Sequence, residues 1–247
     1  MIKSTTRKPP TQMECSPGIW LDARKAVWLP GTRTLAVADL HLGYAWAHRH
    51  GGQLMPISAV EDTIPRLAAL VDEFAPRELL LLGDIVHRAV PVPALQKELA
   101  CLKEEIGTRT ELRWIAGNHD RDLAVLLARA GLEVDLHARH QLDGFTFVHG
   151  DAPLEVAQDD LRGARACGGL IFCGHEHPAI TISDRVTTTL KCPCFLLAPE
   201  LIVLPAFSPW AAGSNVRQRN FLSHYLDASP PERAVAIING KLLPVTV

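Results

Sequence analysis

The sequence predicts a layered α/β fold, with two β-sheets facing each other and helices on the outside. Three features predict it. Short apolar runs of strand type alternate with amphipathic helical stretches through the first two-thirds of the chain. Most of those runs stop at a short polar segment holding Gly, Asp, Asn or His. Beyond Gly174 the texture changes to closely spaced β-type runs separated by turn residues. An alternating half and a β-rich half that share one core give facing sheets with outer helices.

In chain order, strands are expected at Ala26 to Leu29, Leu35 to Ala38, Glu78 to Leu82, Leu112 to Ala116, Phe145 to Val148 and Leu170 to Cys173. Between them, the segment Ile57 to Phe74 places Val60, Ile64, Leu67, Leu70, Val71 and Phe74 at helical spacing, and Pro93 to Ile106 and Asp122 to Ala130 read likewise. The β-rich third offers Ala179 to Ser183, Thr187 to Leu190, Phe195 to Leu197, Leu201 to Leu204, Ala234 to Ile238 and Lys241 to Val245. Asn239-Gly240, between the last two, is a strong two-residue hairpin signal.

A chain of 247 residues that is 47% apolar can bury one sizeable core. A single domain over 15–247 is expected, preceded by a flexible N-terminus at 1–14. There Lys3, Arg7 and Lys8 are mixed with Pro and Thr, and the apolar core of a signal peptide is lacking. No apolar stretch approaches the roughly 20 residues that span a bilayer. The expected protein is therefore soluble and cytoplasmic, with no membrane partner. A formal charge of −2 gives no global attraction to nucleic acid, so DNA contact would need a local patch. Arg217-Gln218-Arg219 is the only local basic run. The six cysteines are read as reduced thiols. Cys192 and Cys194 flank Pro193 and are read as pointing to opposite faces of a strand, with no second pair to complete a zinc site.

The polar segments carry the chemistry. They are Asp39-Leu40-His41, Gly83-Asp84, Gly117-Asn118-His119-Asp120, His149-Gly150-Asp151 and Gly174-His175-Glu176-His177. Each alone is an ordinary turn sequence. In series, each directly after an expected buried strand, they supply carboxylate, amide and imidazole ligands for two divalent metals. Asp39 and His41 lie two apart and leave an extended strand on the same side. Asp84 is placed to bridge two ions, and Asn118 offers a neutral oxygen to the second. His149, His175 and His177 add imidazoles, and His119 is left to face the substrate. Imidazole mixed with oxygen ligands suits Mn, Fe or Zn better than Ca or Mg. Two metals close together can activate water and offset phosphoryl charge, so phosphoester hydrolysis is the expected reaction.

These segments, in this order over residues 39 to 177, resemble the signature of the calcineurin-like metallophosphoesterases. The resemblance implies an α/β/β/α sandwich, one metal held by Asp39, His41, Asp84 and His177, and another by Asp84, Asn118, His149 and His175. It also implies His119 as general acid for the leaving group. Within that superfamily the chain is most similar to the ligase-associated DNA-damage-response endonucleases. The residues are Ala38 to Tyr44, Gly83 to His87, His175 to Pro178, Cys192 to Phe195 and Leu204 to Ser208. That likeness implies a Mn-dependent phosphodiesterase or nuclease working with an ATP-dependent DNA ligase and a helicase. Ser208-Pro209-Trp210 departs from the smaller, more Gly-rich turn expected there.

Other residues have two readings each. Asp120 and Asp151 are either orienting partners of the neighbouring imidazoles or helix caps. Trp46 could stack on a base, and His48 and His50 could line an entrance, against ordinary core and loop roles. His87 and Arg88 lie near Asp84 in sequence and have an even claim to substrate contact. Specificity is expected in loops such as Trp46 to Gln53 and Ser208 to Asn215. The leading function is a metal-dependent phosphodiesterase, with a DNA endonuclease in repair as its sharper form. Its alternatives are a nucleotide phosphatase or pyrophosphatase, and a non-catalytic scaffold on the same fold.

Overall fold

The computed structural model describes residues 10–55, 59–183 and 189–247. Among them, a first sheet runs in the order β1 (Gln12–Ser16), β2 (Ile19–Asp22), β3 (Ala26–Leu29), β4 (Thr34–Ala38), β5 (Glu78–Leu82), β6 (Glu111–Ile115) and β7 (Leu136–His137). The second sheet contains β8 (Arg139–Leu142), β9 (Phe145–Val148), β10 (Leu170–Cys173), β11 (Pro178–Ser183), β12 (Thr189–Ala198), β13 (Leu201–Val203), β14 (Ser214–Asn215), β15 (Arg233–Ile238) and β16 (Lys241–Thr246). The helices are α1 (Tyr44–His50), α2 (Ala59–Phe74), α3 (Pro93–Gly107), α4 (Leu123–Arg129), α5 (Leu154–Cys167) and α6 (His224–Ala228).

Side-chain alternation sorts the central strands into three packed layers. In β5, Leu79 and Leu81 face the helices while Leu80 and Leu82 face the second sheet. In β10, Phe172 points between the sheets and Ile171 and Cys173 point outward. One apolar layer holds α2, α3 and α4 on the first sheet, a second joins the sheets, and a third seats α5 and α6. The expected α/β/β/α sandwich is the observed one. A fully buried Leu in such a layer contributes about 1.5–3 kcal/mol relative to exposure.

Strand direction positions the site. In the first sheet β4, β5 and β6 are mutually parallel, and in the second so are β9, β10 and β13. All five polar segments leave the C-terminal ends of such strands, the edge at which open α/β sheets place their ligands.

Several sequence expectations need correction. The terminus does not run free to residue 14, because Gln12–Ser16 pairs antiparallel with β2. Residues 1–9 lie outside the described residues, as do 57 and 58 of the first expected helix and 187 and 188 of an expected strand. The runs at 187–190 and 195–197 belong to one long strand, β12. Cys192 and Cys194 do not diverge. Residues two apart share a strand face, and both are buried in the layer beneath α5 and α6 as free thiols. Asn239 and Gly240 adopt φ of 50° and 68°, the paired left-handed turn that joins β15 to β16.

Two cations, Lys25 from the turn between β2 and β3 and Arg66 from α2, clamp the segment that follows β13. Lys25 Nζ donates to the Ser208 carbonyl at 3.2 Å, and Arg66 donates to the Phe207 carbonyl at 3.1 Å while its guanidinium lies 4.2 Å from the Phe207 ring centroid. Burial, helped by the Arg66 charge, pushes Lys25 down to about 8. An unfolded lysine titrates near 10.4. Between those values the unfolded chain holds the proton that the folded chain releases, so this group makes stability rise with pH across that window. In denaturant titrations from pH 7.5 to 10.5, Lys25→Met should therefore lie above wild type at the low end and lose that advantage as pH rises.

Candidate metal centre

The five parallel strand ends that carry the candidate ligand segments hold them together through their own backbones. Asp39 N donates to the Gly83 carbonyl, His41 N to that of Asp84 and Leu42 N to that of Ile85, so the segments leaving β4 and β5 continue side by side. Gly174 N donates to the His149 carbonyl, which ties the exits of β10 and β9. Asp120, 3% exposed, accepts from the backbone N–H groups of Ile85, Val86 and Gly117 and so staples the β6 exit to the β5 exit. It is a loop clamp and does not orient an imidazole. Burial is the main cause that pushes its carboxyl up to about 6, against those three donors. Asp151 is exposed.

Backbone strain concentrates at the same place. Asp39, His41, Asp84, His175 and His177 all have positive φ, between 47° and 68°. For residues carrying a Cβ this costs on the order of 1–2 kcal/mol each. Such strain persists where the surrounding structure over-determines it and where function needs it. The left-handed kink turns each side chain out of the strand path into the gap between the two sheet edges.

Within that gap the side chains fall into groups. Ligand atoms of Asp39, His41, Asp84 and His177 lie within 4.8 Å of one another, as do those of Asp84, His149 and His175. Asp84 belongs to both. His41 Nε2 is 3.0 Å from His177 Nε2, and His149 Nε2 is 3.2 Å from His175 Nδ1 and 3.1 Å from Asn118 Oδ1. The His149 Nδ1–H donates to the Leu82 carbonyl at 3.0 Å, which leaves Nε2 presenting its lone pair to the centre. Facing nitrogens and oxygens at such distances repel unless a proton or cation lies among them. This donor set fits divalent metals of the borderline class.

The protonation pattern has the same origin. Burial pushes His41 down to about 3 and His175 down to about 4, so both are neutral and able to ligate. Burial opposes charge on Asp39 too, yet the hydrogen bond and charge of His177, with His149 and His41, hold its carboxyl below the usual range. Burial also opposes charge on His177 and His149. The Asp39 hydrogen bond and charge outweigh it at the first, and the Asp39 and Asp84 charges at the second, so both are raised. Burial raises Asp84. Without metal, protons on these imidazoles offset the two carboxylates.

His119 stands apart from the two groups. Its Nδ1–H donates to the His87 carbonyl at 2.6 Å, its backbone N–H donates to Asp84 Oδ1, and its Nε2 lies 3.9 Å from Asp84 Oδ2. A third imidazole group joins it to His41 and His87. The sequence reading missed Glu176, which lies between two candidate ligands. It is buried, and its Oε2 accepts from the backbone N–H groups of Leu222 and Ser223, tying the ligand segment to the start of α6. The Trp46 indole N–H is held by the buried Glu98 at 2.8 Å. Arg217 reaches only the Thr246 carbonyl at the far end of the chain.

Residues 32–177 match the family model for calcineurin-like phosphoesterases. The chain belongs to that family. It is accordingly a hydrolase of phosphoesters, in a family that works with divalent metals. The crystal structure of the Pseudomonas putida nuclease MPE is similar in fold, with a TM-score of 0.68 and 24% sequence identity. The match covers 95% of this chain and 98% of that one. No curated protein sequence matches. Among the described residues, no helix is long and apolar enough to cross a membrane.

Gly174 tests the closeness of this packing. A Cβ there would lie 2.6 Å from Ala38 Cβ and 2.7 Å from Asp39 Oδ2, with neither neighbour free to move. Gly174→Ala should cost roughly 1–3 kcal/mol in denaturant titration. It should also lower the metal content measured by mass spectrometry, because the clash falls on the Asp39 carboxylate.

Proposed function

We propose that this phosphoesterase is a two-metal phosphodiesterase acting on nucleic acid, and a DNA endonuclease serving repair. One observation carries the reading. Asp84 sits where two groups of metal-competent side chains meet, as a carboxylate shared by a pair of ions must. In this assignment Asp39, His41, Asp84 and His177 hold one metal, and Asp84, Asn118, His149 and His175 hold the other. Mn is assigned to both positions, with Fe or Zn as the substitutes the same ligands accept. Once bound, the metals supply Lewis-acid charge for the phosphoryl oxygens and acidify a water.

The chain's own residues do the rest. The Asp84 carboxylate offsets the repulsion between two cations, and the His149 hydrogen bond to Leu82 fixes which nitrogen faces them. His119 keeps Nδ1 engaged with the His87 carbonyl, so Nε2 is the nitrogen able to hand a proton to the departing oxygen. The choice of a nucleic-acid diester is supported by the fold neighbour from Pseudomonas putida, which is itself a nuclease. An ATP-dependent DNA ligase and a helicase are the partners that the sequence likeness suggests. A cytoplasmic location agrees with six free cysteines.

His119→Ala should lower kcat by about 10²–10⁴-fold while retaining metal. Loss of metal in that variant would make His119 a ligand and end its assignment as acid. Asp84→Asn should abolish activity and reduce metal content together, and near-normal turnover would exclude a shared-carboxylate site. Hydrolysis of bis-p-nitrophenyl phosphate over the monoester separates the diesterase from a nucleotide phosphatase, and plasmid nicking separates a nuclease from both. For a nuclease, log KM should rise linearly with log salt concentration, the slope counting phosphate contacts.

A further inference from the structure

Solvent reaches the residues of the centre unevenly. His119 and His177 are 37% and 25% exposed, whereas Asp84 and His149 are almost wholly covered. From His119 a line of rings leads away along the exposed rim. His87 lies 5.4 Å from His119, Tyr44 lies 4.5 Å from His87, and Trp210 lies 5.6 Å from Tyr44 with the two planes 4° apart. All three are half-buried. They come from different segments: Tyr44 opens α1 just after His41, His87 follows Asp84, and Trp210 sits on the loop after β13. That loop is tied at both ends to ligand segments, Ser208 N donating to the Asp39 carbonyl at 3.0 Å and Ser214 N to the His177 carbonyl at 2.9 Å. Trp210 is thereby held over the rim, in the segment that departs from the expected small turn.

We propose that Tyr44, His87 and Trp210 form a stacking platform for the base of a nucleotide whose phosphate lies at the metal centre. This rests on the diesterase reading and adds to it the side chains that hold the base beside the reacting phosphate. Aromatic faces accept any base and contribute about 1–3 kcal/mol per stacked base. Held beside the reacting phosphate, that contact orients the diester as well as binding it. His48 joins the same cluster, 4.4 Å from Tyr44 and 5.5 Å from His87, so the rings make a continuous aromatic border beside His119.

The experiment compares two chromogenic diesters on the Mn-loaded protein: thymidine 5′-(p-nitrophenyl phosphate) and its counterpart with a base-free deoxyribose. Wild type should prefer the base-bearing compound by roughly tenfold or more in kcat/KM. Trp210→Leu and Tyr44→Leu should bring that ratio close to one with Mn content unchanged, and Trp210→Phe should keep most of it. A wild-type ratio near one, an unaltered ratio in the leucine variants, or equal loss in Trp210→Phe and Trp210→Leu would overturn the platform. Failure of the wild type to hydrolyse either compound sinks the diesterase reading, and the platform with it.

Discussion

Two carboxylates, Asp39 and Asp84, sit almost fully buried within reach of the same imidazoles, and the rest of the site follows from compensating them. Buried negative charge is costly unless it is paired. Here the compensation comes from His149 and His177, from backbone N–H groups of His119 and His175, and, in the proposed assignment, from metal cations. The parallel strands exist to aim those groups at one gap. The strained backbone at five of the proposed ligand positions is the cost of bending extended chain ends inward quickly enough to surround so small a volume.

The central strands were legible because parallel strands covered on both faces read as continuous apolar runs. Glu78–Leu82, Phe145–Val148 and Leu170–Cys173 fall where those runs lie, and the polar residue after each is one of the proposed ligands or the glycine before it. The convergence of the ligand segments was legible for the same reason, since position after a buried strand places a side chain at the sheet edge. Helix α5 was not legible. It buries little more than Ala157, Leu161 and Ala164 and carries Gly163 in its interior, so its apolar stripe is faint. Strands β1 and β2 were missed because they are short and partly polar.

Side-chain destinations were the least readable. Trp46 lies five residues after the proposed ligand His41 and looks poised for substrate, but a glutamate 52 positions away captures its indole. Asp120 looks like a partner of His119 and instead spends its oxygens on the backbone amides of Ile85 and Val86 in a different loop and of Gly117 in its own. The pairing of Cys192 with Cys194 on one face follows from strand period alone, and only the burial of both thiols in the outer layer shows them as core. Long-range hydrogen bonds of this kind leave no periodic trace in a sequence.

The loop from Ser208 to Ser214 lies wholly outside the stretch that matches the family model, yet it is anchored to two of the segments inside it. The candidate metal ligands and one ring of the proposed platform, Trp210, are thus encoded in separable parts of the gene. A lineage can rewrite the later part, exchanging one bulky ring for another, while inheriting the earlier part untouched.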